Sequence, residues 1–587
     1  MPMQEIVTQF EKNRYFINIM FNKQILIIKT NIILLATAAF VGLVVSLVAQ
    51  LFILSAKNLY EFFYQNSDNI FVMKIYNIDI NISSIFICTT ASLIVCLIIK
   101  LYNIDRWHGP ADTIYAAHQR KGTLDTKKGF LSTIAAFISI SGGASVGIYG
   151  PLVHFGGTLG AFLRKRKHMF SIPHDIIIGS GVAAAISAGF DAPLAGILFA
   201  HEVVLRHFSM KAITSIAFSS VIASVVANQV GLVEAPFRFE EVFFDYMSAL
   251  PGLLVVGLGS ALIAFSFMNS VLISGKLAKR IGFKSYYNPI IPGVLCGVVG
   301  CFIPEVLGLG ISPVLDMITS TNILMFIVLL LIFKLFLTSM CLGFGLFGGV
   351  FSPSLFLGAT VGAIIFHIPV LGTAPELQAI FVVGGMAALS SSVIGAPITA
   401  VVLILELTSS YKFAIASIFP IVISSLITYL TFGSSFFDKQ LSIRGIIMNF
   451  GREHIMLSQQ TIKKYANDNY LSFSTDTTVN EAIKKFKKHT VTEGYFLDRD
   501  KLYLGKLRLV DIIGRHDINC FKYKEKDHIT ISDKANINEV IEVLTNFVGE
   551  SVPVINKDSG AIVGVISEND VLKSYNQISS EIRSIEK

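Results

Sequence analysis

The chain has 587 residues, of which 53% are hydrophobic and only 15% are charged, and its mean hydropathy is +0.65. About a quarter of the residues of a soluble globular protein are charged, so this composition excludes an ordinary soluble protein and indicates one that crosses a membrane several times. The net charge of +7 suits cytoplasmic loops near lipid headgroups and requires no nucleic-acid partner.

The first long apolar segment lies near the N-terminus. Residues 32–56 are 25 residues without a charge, which is enough to cross roughly 30 Å of hydrocarbon. Four basic residues precede this segment, namely Lys12, Arg14, Lys23 and Lys29. Because basic residues concentrate on the cytoplasmic side of membrane helices, we expect a multi-pass protein of the cell membrane with a cytoplasmic N-terminus.

Two glycine-rich breaks interrupt the apolar segments further along the chain. Residues 147–151, GIYGP, have a counterpart in residues 349–353, GVFSP. Each break is followed by a matching segment, residues 181–202, GVAAAISAGFDAPLAGILFAHE, and residues 385–406, GMAALSSSVIGAPITAVVLILE. In both segments a glycine, a proline and a glutamate stand at the same spacing. Matching interrupted segments in two halves of a membrane protein indicate a substrate site near the middle of the bilayer.

The chemistry of the two breaks predicts an anion as the substrate. Non-helical backbone at membrane depth is tolerated only where it is buried in protein or lines a watery cavity. A helix that restarts at a break directs its unpaired N–H groups and the positive end of its dipole into that cavity. Neither break contains an Asp or Glu, which a cation site would use. The alternative is that these glycines only allow helices to pack closely.

The character of the chain changes near residue 450, where polar residues replace the apolar segments. Beyond that point short β-like stretches alternate with amphipathic ones, a pattern typical of a small cytoplasmic α/β domain. This part repeats, since VNEAI at 479–483 recurs as INEVI at 537–541. The predicted domains are a membrane domain at 1–450, a linker at 451–470 and a cytoplasmic domain at 471–587, whose two units span about 471–520 and 528–580.

Together, the two breaks, the two proline-containing segments and the C-terminal repeat resemble the CLC family of chloride channels and transporters, with a tandem pair of CBS domains at the C-terminus. The resemblance covers nearly the whole chain. It implies an all-α polytopic membrane domain with an inverted repeat, followed by a cytoplasmic α/β CBS pair. It further implies a homodimer in a lipid bilayer, with a pore for chloride or a similar small anion inside each subunit, and neither enzymatic activity nor a bound metal.

The resemblance also assigns the residues of the pore. They come from four segments: His108 and Gly109; Gly147, Ile148, Tyr149, Gly150 and Pro151; Gly349, Val350 and Phe351; and Phe437. The backbone amides of Val350 and Phe351 are expected to face the central anion, and Tyr149 occupies the position of the gate.

The chain departs from the family pattern at several functional positions. Tyr149 stands where the family has a glutamate that gates the pore and relays protons in the antiporters, and Ile148 replaces a basic residue. His108 aligns loosely with a pore serine, and Phe437 replaces a pore tyrosine and lacks its hydroxyl. Val203 falls where some antiporters carry a second proton-relay glutamate.

The residue at the gate position indicates how transport is driven. A carboxylate can take an anion's place when charged and leave it when protonated, whereas a tyrosine, whose ordinary pKa is about 10, cannot do so near neutral pH. Tyr149 can still fill space and donate a hydrogen bond to an anion. We therefore predict a chloride channel or a proton-uncoupled anion transporter with passive flux. The alternative is a chloride/proton antiporter that uses a non-standard proton path.

The CBS-like repeat raises the question of a nucleotide. Ser567 and Asp570 in the second unit resemble the ribose-binding position of CBS domains, which implies an adenine nucleotide as the ligand. The first unit has Arg508 where a serine or threonine is expected. The alternative is a CBS pair that binds no nucleotide and serves as a dimerisation platform, and a match in only one of two units favours it.

A rival interpretation is a membrane hydrolase. Residues 143–147 match the G-x-S-x-G pattern of a nucleophile elbow with Ser145 as the nucleophile, and His154 follows nearby. Such an elbow requires a strand before the serine, whereas the preceding residues, GFLSTIAAFISIS, favour a membrane helix. We therefore expect the hydrolase interpretation to fail.

Several other polar residues lie in or beside apolar segments. Glu202 and Glu406 occupy matching repeat positions, which favours structural partners at helix ends. Lys334 is either a functional charge or a side chain that reaches the membrane surface or meets buried carbonyls. His201 and His207 lack a third ligand, so no metal site is expected.

Overall fold

The computed structural model describes residues 3–64, 72–75, 78–119, 124–164, 173–230, 244–281, 284–319, 323–371, 374–448, 456–515, 519–525 and 529–586. The chain forms two compact units, Met1–Gly445 and Ile446–Lys587. The predicted linker at 451–470 begins with residues 451–455, which lie outside the described part of the chain.

The first unit is built almost entirely from helices. They are α1 (Met3–Tyr64), α2 (Ser83–Tyr102), α3 (Pro110–His118), α4 (Thr126–Ser141), α5 (Tyr149–Arg164), α6 (His174–Phe190), α7 (Pro193–Phe199), α8 (Met210–Val230), α9 (Tyr246–Arg280), α10 (Ile290–Gly300), α11 (Ile311–Thr319), α12 (Leu324–Phe344), α13 (Phe351–Phe366), α14 (Pro375–Ile394), α15 (Pro397–Thr408), α16 (Tyr411–Phe432) and α17 (Phe436–Ser442). Within the described residues, seven helical segments are long and apolar enough to cross a membrane. The predicted multi-pass architecture is therefore confirmed.

Short non-α elements interrupt these helices. Strands β1 (Val72–Ile75) and β2 (Ile78–Asn81) pair in an antiparallel hairpin that the sequence analysis did not predict. Its apolar and β-branched residues favour strands, but each strand is too short for a clear alternation. A π-helical turn, Ala200–Leu205, continues α7, and 3₁₀ turns lie at Ser285–Tyr287, Pro304–Val306 and Pro369–Leu371.

The internal repeat is visible in how helices touch. Helix α5 meets α6 at Gly156 and Gly181, where a Cβ on either residue would lie 2.1 Å from the carbonyl oxygen of the other. Helix α13 meets α14 at Gly358 and Gly385 with the same 2.1 Å relation. Only glycine permits backbones to approach so closely. Each half therefore packs a pair of helices through an equivalent glycine contact, as the matching segments predict.

Two glutamate side chains, one from each half, each cap the start of a helix in the other half. Glu406 of α15 accepts hydrogen bonds from the backbone N–H groups of Leu194 and Ala195 at the start of α7, at 2.8 and 2.7 Å. Glu202, in the π-helical turn after α7, accepts from the N–H groups of Ile398 and Thr399 at the start of α15, at 3.0 and 2.7 Å. Each carboxylate satisfies orphan N–H groups and favours the positive end of a helix dipole. Both glutamates are thus structural partners at helix ends.

The two glycine-rich breaks are joined directly. Gly147 and Gly349 form an antiparallel bridge in which each N–H donates to the other's carbonyl oxygen, at 2.8 and 2.7 Å. Helix α5 begins two residues after Gly147, and α13 begins two residues after Gly349. A Cβ on Gly349 would lie 2.7 Å from the backbone nitrogen of Gly150. The breaks therefore meet backbone to backbone, which places the first turns of α5 and α13 side by side.

The second unit consists of two similar three-stranded sheets. In the first, β3 (Ser472–Phe473) runs parallel to β4 (Glu493–Leu497), which is antiparallel to β5 (Tyr503–Arg508). In the second, β6 (Ile531–Ser532), β7 (Val552–Ile555) and β8 (Ile562–Ile566) pair in the same way. The remaining elements are helices Val479–His489, Leu509–Ile512, Ile537–Thr545 and Glu568–Glu586 and 3₁₀ turns Ile462–Lys464 and Cys520–Tyr523.

The sequence repeat VNEAI/INEVI marks equivalent helix starts in these two sheets. Thr478 and Glu481 form a capping box at one, and Asn536 and Glu539 form the same motif at the other. In each pair the side chain of the first residue accepts from the backbone of the second, and the glutamate accepts in return. The predicted repeat within the C-terminal domain is therefore present as two units of one topology.

We predict that Gly349→Ala opens the bridge between the breaks. Its Cβ would meet backbone atoms of Gly150, which cannot rotate away, so we expect a loss of about 1–3 kcal/mol and a lower melting temperature in detergent. Gly275→Ala in α9 is the matched control, because its Cβ would meet only one backbone oxygen, at 3.8 Å. Equal melting temperatures for the two variants would contradict the role of the bridge.

We also predict that Glu202→Gln and Glu406→Gln each destabilise the membrane domain. The amide removes the charge and turns an NH₂ group toward N–H donors, so each should cost about 1 kcal/mol. The measurement is thermal unfolding in detergent, with Glu61→Gln as the control because Glu61 makes only an exposed contact with Lys57, at 3.9 Å. Unfolding curves that coincide for all three variants would show that the crossed caps contribute nothing.

Candidate functional site

Three cavities follow one another beside the joined breaks. The largest, which we call the vestibule, has a volume of about 300 Å³. The middle cavity and the far cavity are much smaller, at about 10 and 20 Å³. Val350 and Phe437 line both the vestibule and the middle cavity, and Tyr149 lines both the middle and the far cavity. The shared walls arrange the cavities in a row, with Tyr149 between the last two.

Tyr149 is held by aromatic neighbours. Its ring stacks on Phe190 with centroids 3.5 Å apart, and it meets Phe351 edge to face at 5.7 Å. Its hydroxyl donates a long hydrogen bond, 3.5 Å, to the carbonyl oxygen of Gly189. The side chain is only 5% exposed. Tyr149 therefore closes the row as a packed aromatic wall.

Among the described residues that line the three cavities, charged side chains occur only at the vestibule. Its lining includes Arg106, Lys279 and Arg444 against Asp105 and Asp112. By contrast, the described residues that line the middle and far cavities include no Asp, Glu, Lys or Arg. An excess of cationic side chains at the mouth of an otherwise uncharged passage raises the local concentration of anions.

Asp112 organises the wall of the vestibule. Its carboxylate accepts from both guanidinium nitrogens of Arg106, at 2.9 and 2.6 Å, and from Arg444, at 2.9 Å. It also accepts from the backbone N–H of Gly109, at 3.0 Å, and so caps the start of α3. This single carboxylate therefore connects Arg106 and Arg444 to α3, whose N-cap residue Gly109 lines the vestibule.

Phe437 is positioned by the short helix α17. Ser435 caps this helix by accepting from the backbone N–H of Asp438, at 3.2 Å. The carboxylate of Asp438 forms an ion pair with Arg206, which follows the π-helical turn after α7. These contacts fix the phenyl ring between the vestibule and the middle cavity.

The structure brings most of the predicted pore residues to this row. Residues that line at least one of the cavities are Gly109, Ile148, Tyr149, Gly150, Gly349, Val350, Phe351 and Phe437. Gly147 lies in the bridge, and Pro151 is buried in the first turn of α5. Their backbone shapes the site without lining it.

His108 is placed differently from the expectation that it lines the mouth of the pore. It is not among the residues that line the three cavities, although its neighbours Trp107 and Gly109 are. Its backbone N–H donates to Ser132, at 3.0 Å, and its ring lies 6.1 Å from that of His154. The next residue, Gly109, is the extended N-cap of α3.

Several residues of the site were missed by sequence reasoning. Ser352 lines the far cavity, and its buried hydroxyl has no hydrogen-bond partner within the described part of the chain. Asp112 and Arg444 shape the vestibule from positions 332 residues apart. The position of Asp112, three residues after Gly109, is a helix-start signal, but no local pattern predicts its pairing with Arg444.

Ser145 does not form a nucleophile elbow. Helix α4, not a strand, precedes it. Its hydroxyl is fully buried, donates to the carbonyl of Val306 at 2.9 Å and lies 3.1 Å from the hydroxyl of Thr338. His154 instead bonds to Thr113, at 2.8 Å. The hydrolase interpretation fails, as expected, because the serine is a packing residue.

In the C-terminal unit, the residues of the predicted nucleotide position bond to each other. The hydroxyl of Ser567 donates to Asp570 at 2.7 Å, and the backbone N–H of Asp570 donates back at 3.3 Å. In the first repeat Arg508 pairs with Asp511, at 3.1 Å. Nucleotide binding and the alternative of a dimerisation platform both stay predictions.

Comparison with known proteins agrees with this architecture. A family model described as voltage gated chloride channel matches residues 90–429, and a CBS domain model matches residues 523–576. A putative chloride channel protein ClcB-like from Ralstonia nicotianae is 28% identical over 55% of this chain and 76% of its own length. The H(+)/Cl(-) exchange transporter ClcA from Vibrio parahaemolyticus is 28% identical over 49% of this chain and 63% of its own length.

A solved structure has the same fold. The crystal structure of a slow cyanobacterial Cl-/H+ antiporter superimposes with a TM-score of 0.61 at 21% identity, covering 70% of this chain and 97% of that one. The helical membrane domain with its joined breaks, the row of cavities and a match over more than half of the residues lead to one conclusion: the chain belongs to the voltage gated chloride channel family, whose members are channels and transporters rather than enzymes.

Proposed function

We propose that this protein transports chloride or a similar small anion along the row of cavities, as a homodimer with one pathway in each subunit. The observation that carries the proposal is the row of three cavities, in which neighbours share the lining residues Val350 and Phe437 and then Tyr149. The cationic side chains of the vestibule and the absence of carboxylates from the lining described for the smaller cavities support an anion as the substrate.

We further propose that transport is passive and uncoupled from protons. The support is chemical: the gate position holds a tyrosine, whose ordinary pKa is about 10, packed between Phe190 and Phe351. Such a side chain cannot alternate between charged and protonated forms at neutral pH. Phe437 and Val203 likewise carry no titratable group.

The second candidate is a chloride/proton antiporter, and the relatives support it at least as well. ClcA of Vibrio parahaemolyticus is named an exchange transporter. An antiporter with Tyr149 would need other titratable groups near the pathway. His154 and His108 supply such a pair, since their rings lie 6.1 Å apart and His154 sits on α5, five residues after Tyr149.

The two candidates differ in one measurable quantity. We predict that a chloride gradient imposed on liposomes that contain the protein drives chloride efflux without sustained uphill proton movement, because a tyrosine at the gate position does not release its proton near neutral pH. Internal pH is followed with a dye, and a protonophore control detects leak. Proton uptake in a fixed ratio to chloride efflux would establish the antiporter. His108 and His154 would then be the first residues to test for its proton path.

We predict that Tyr149→Ala conducts anions at least as fast as the wild type, because it removes the wall between the middle and far cavities. Tyr149→Glu should add acid activation, since a carboxylate titrates in an accessible pH range and burial raises its pKa. Both are measured as chloride efflux rates between pH 4.5 and 7.5, with Tyr149→Phe as the control that keeps the ring. A Glu variant with the pH profile of the wild type would argue against Tyr149 as the gate.

A further inference from the structure

Lys334 is a buried cation in the middle of a membrane-spanning helix. It lies on α12 with no exposed surface, and its Nζ donates to the carbonyl oxygens of Val306, at 3.0 Å, and Gly308, at 2.8 Å. The same atom lies 5.0 Å from the ring centroid of Phe356. Lys334 therefore does not reach the membrane surface but meets buried carbonyls.

The ammonium group has no counter-ion within the described part of the protein. Its hydrogen-bond acceptors are two neutral carbonyls, its Nζ lies over an aromatic ring, and the buried thiols of Cys296 and Cys341 also interact with it electrostatically. A charge buried in a membrane protein is costly unless it is paired, and such residues are usually functional. Carbonyl dipoles and a ring face stabilise the ammonium form in part, and no carboxylate among the described residues pairs with it.

The unmatched charge lies directly behind the wall of the far cavity. Leu309, Gly310 and Ile311, which follow the carbonyls held by Lys334, line that cavity together with Phe356. A Cβ built on Gly310 would lie 3.6 Å from Nζ. Because Gly310 has no side chain and the aromatic ring is thin, only one layer of atoms separates the charge from the cavity.

The wall of the far cavity also offers a hydrogen-bond donor. The hydroxyl of Ser352 is buried there without a hydrogen-bond partner among the residues that the structure describes. The cavity, about 20 Å³, has room for one small species. A hydroxyl donor in the wall and an ammonium behind it are complementary to an anion and unfavourable to a cation.

We propose that Lys334 is the fixed positive charge that sets anion affinity in the far cavity, where the hydroxyl of Ser352 donates to the bound ion. The proposal rests on the proposed function, because the far cavity must belong to the anion pathway. The charge acts through the wall, so Lys334 positions and attracts the ion without touching it. Weak screening in the protein interior makes such a charge effective over several ångströms.

The test separates the charge of Lys334 from its hydrogen bonds. Lys334→Gln keeps an N–H donor for the carbonyls but removes the charge, and Lys334→Arg keeps both. The apparent KM for chloride is measured from efflux rates in liposomes at several chloride concentrations. We expect the KM to rise about tenfold in Lys334→Gln and to change less than threefold in Lys334→Arg. Lys276→Met, at an exposed position on α9, is the control and should leave the KM unchanged.

A rescue variant tests where the charge acts. Ile148 lines the far cavity, so Ile148→Lys combined with Lys334→Gln should bring the KM back to within threefold of the wild type. Ser352→Ala should raise the KM with Lys334 intact, and it provides a readout should Lys334→Gln not fold. An unchanged KM in Lys334→Gln, or in Ser352→Ala if the former is misfolded, would overturn the proposal. Absence of chloride flux in the wild type would instead refute the proposed function.

Discussion

The antiparallel bridge between Gly147 and Gly349 is the contact on which the rest of the site depends. Two backbone hydrogen bonds, at 2.8 and 2.7 Å, join breaks from different halves of the chain. Without them, both breaks would leave unpaired backbone groups at membrane depth, which is costly. Because the bridge sets the starting points of α5 and α13, it also places Tyr149 against Phe351. The middle and far cavities exist because two helices start side by side there.

The same rule, that every buried polar group needs a partner, explains how the surrounding helices are held. Glu202 and Glu406 each close the open N-terminus of a helix in the other half. Asp112 does the same for α3 and also binds Arg106 and Arg444. Unpaired N–H groups at helix ends would cost free energy in an apolar setting. The carboxylates that pair with them therefore also connect separate parts of the fold. Two residues at the far cavity are exceptions among the described residues: the hydroxyl of Ser352 has no hydrogen-bond partner, and Lys334 has no carboxylate beside it.

This arrangement separates two tasks that a single carboxylate could perform together. A glutamate at the gate position would both block the pathway and exchange protons, whereas Tyr149 can only block it by packing. Attraction of the anion then has to come from elsewhere. We propose that the arginines and lysine of the vestibule provide it at one end and that Lys334, behind the far cavity, provides it at the other. A relative named an H(+)/Cl(-) exchange transporter is 28% identical to this chain, so we expect any difference in proton coupling to lie in side chains along the row of cavities.

The amino-acid sequence by itself determined the class of the protein, its internal repeat, the two breaks, the repeat of the C-terminal units and most of the residues found to line the cavities. These features follow from hydropathy, spacing and helix-start signals, which act between residues close in the chain. Only the tertiary structure decided that Gly147 pairs with Gly349 and that Glu202 and Glu406 each cap the start of a helix in the other half. It also decided that His108 is not among the residues that line the cavities. It also decided between the alternatives for Lys334, whose side chain is buried and donates to backbone carbonyls beside the far cavity. The reason is physical: such contacts join groups that are far apart in the chain, and the free energy of a buried charge or an unpaired N–H depends on the neighbours that packing brings to it.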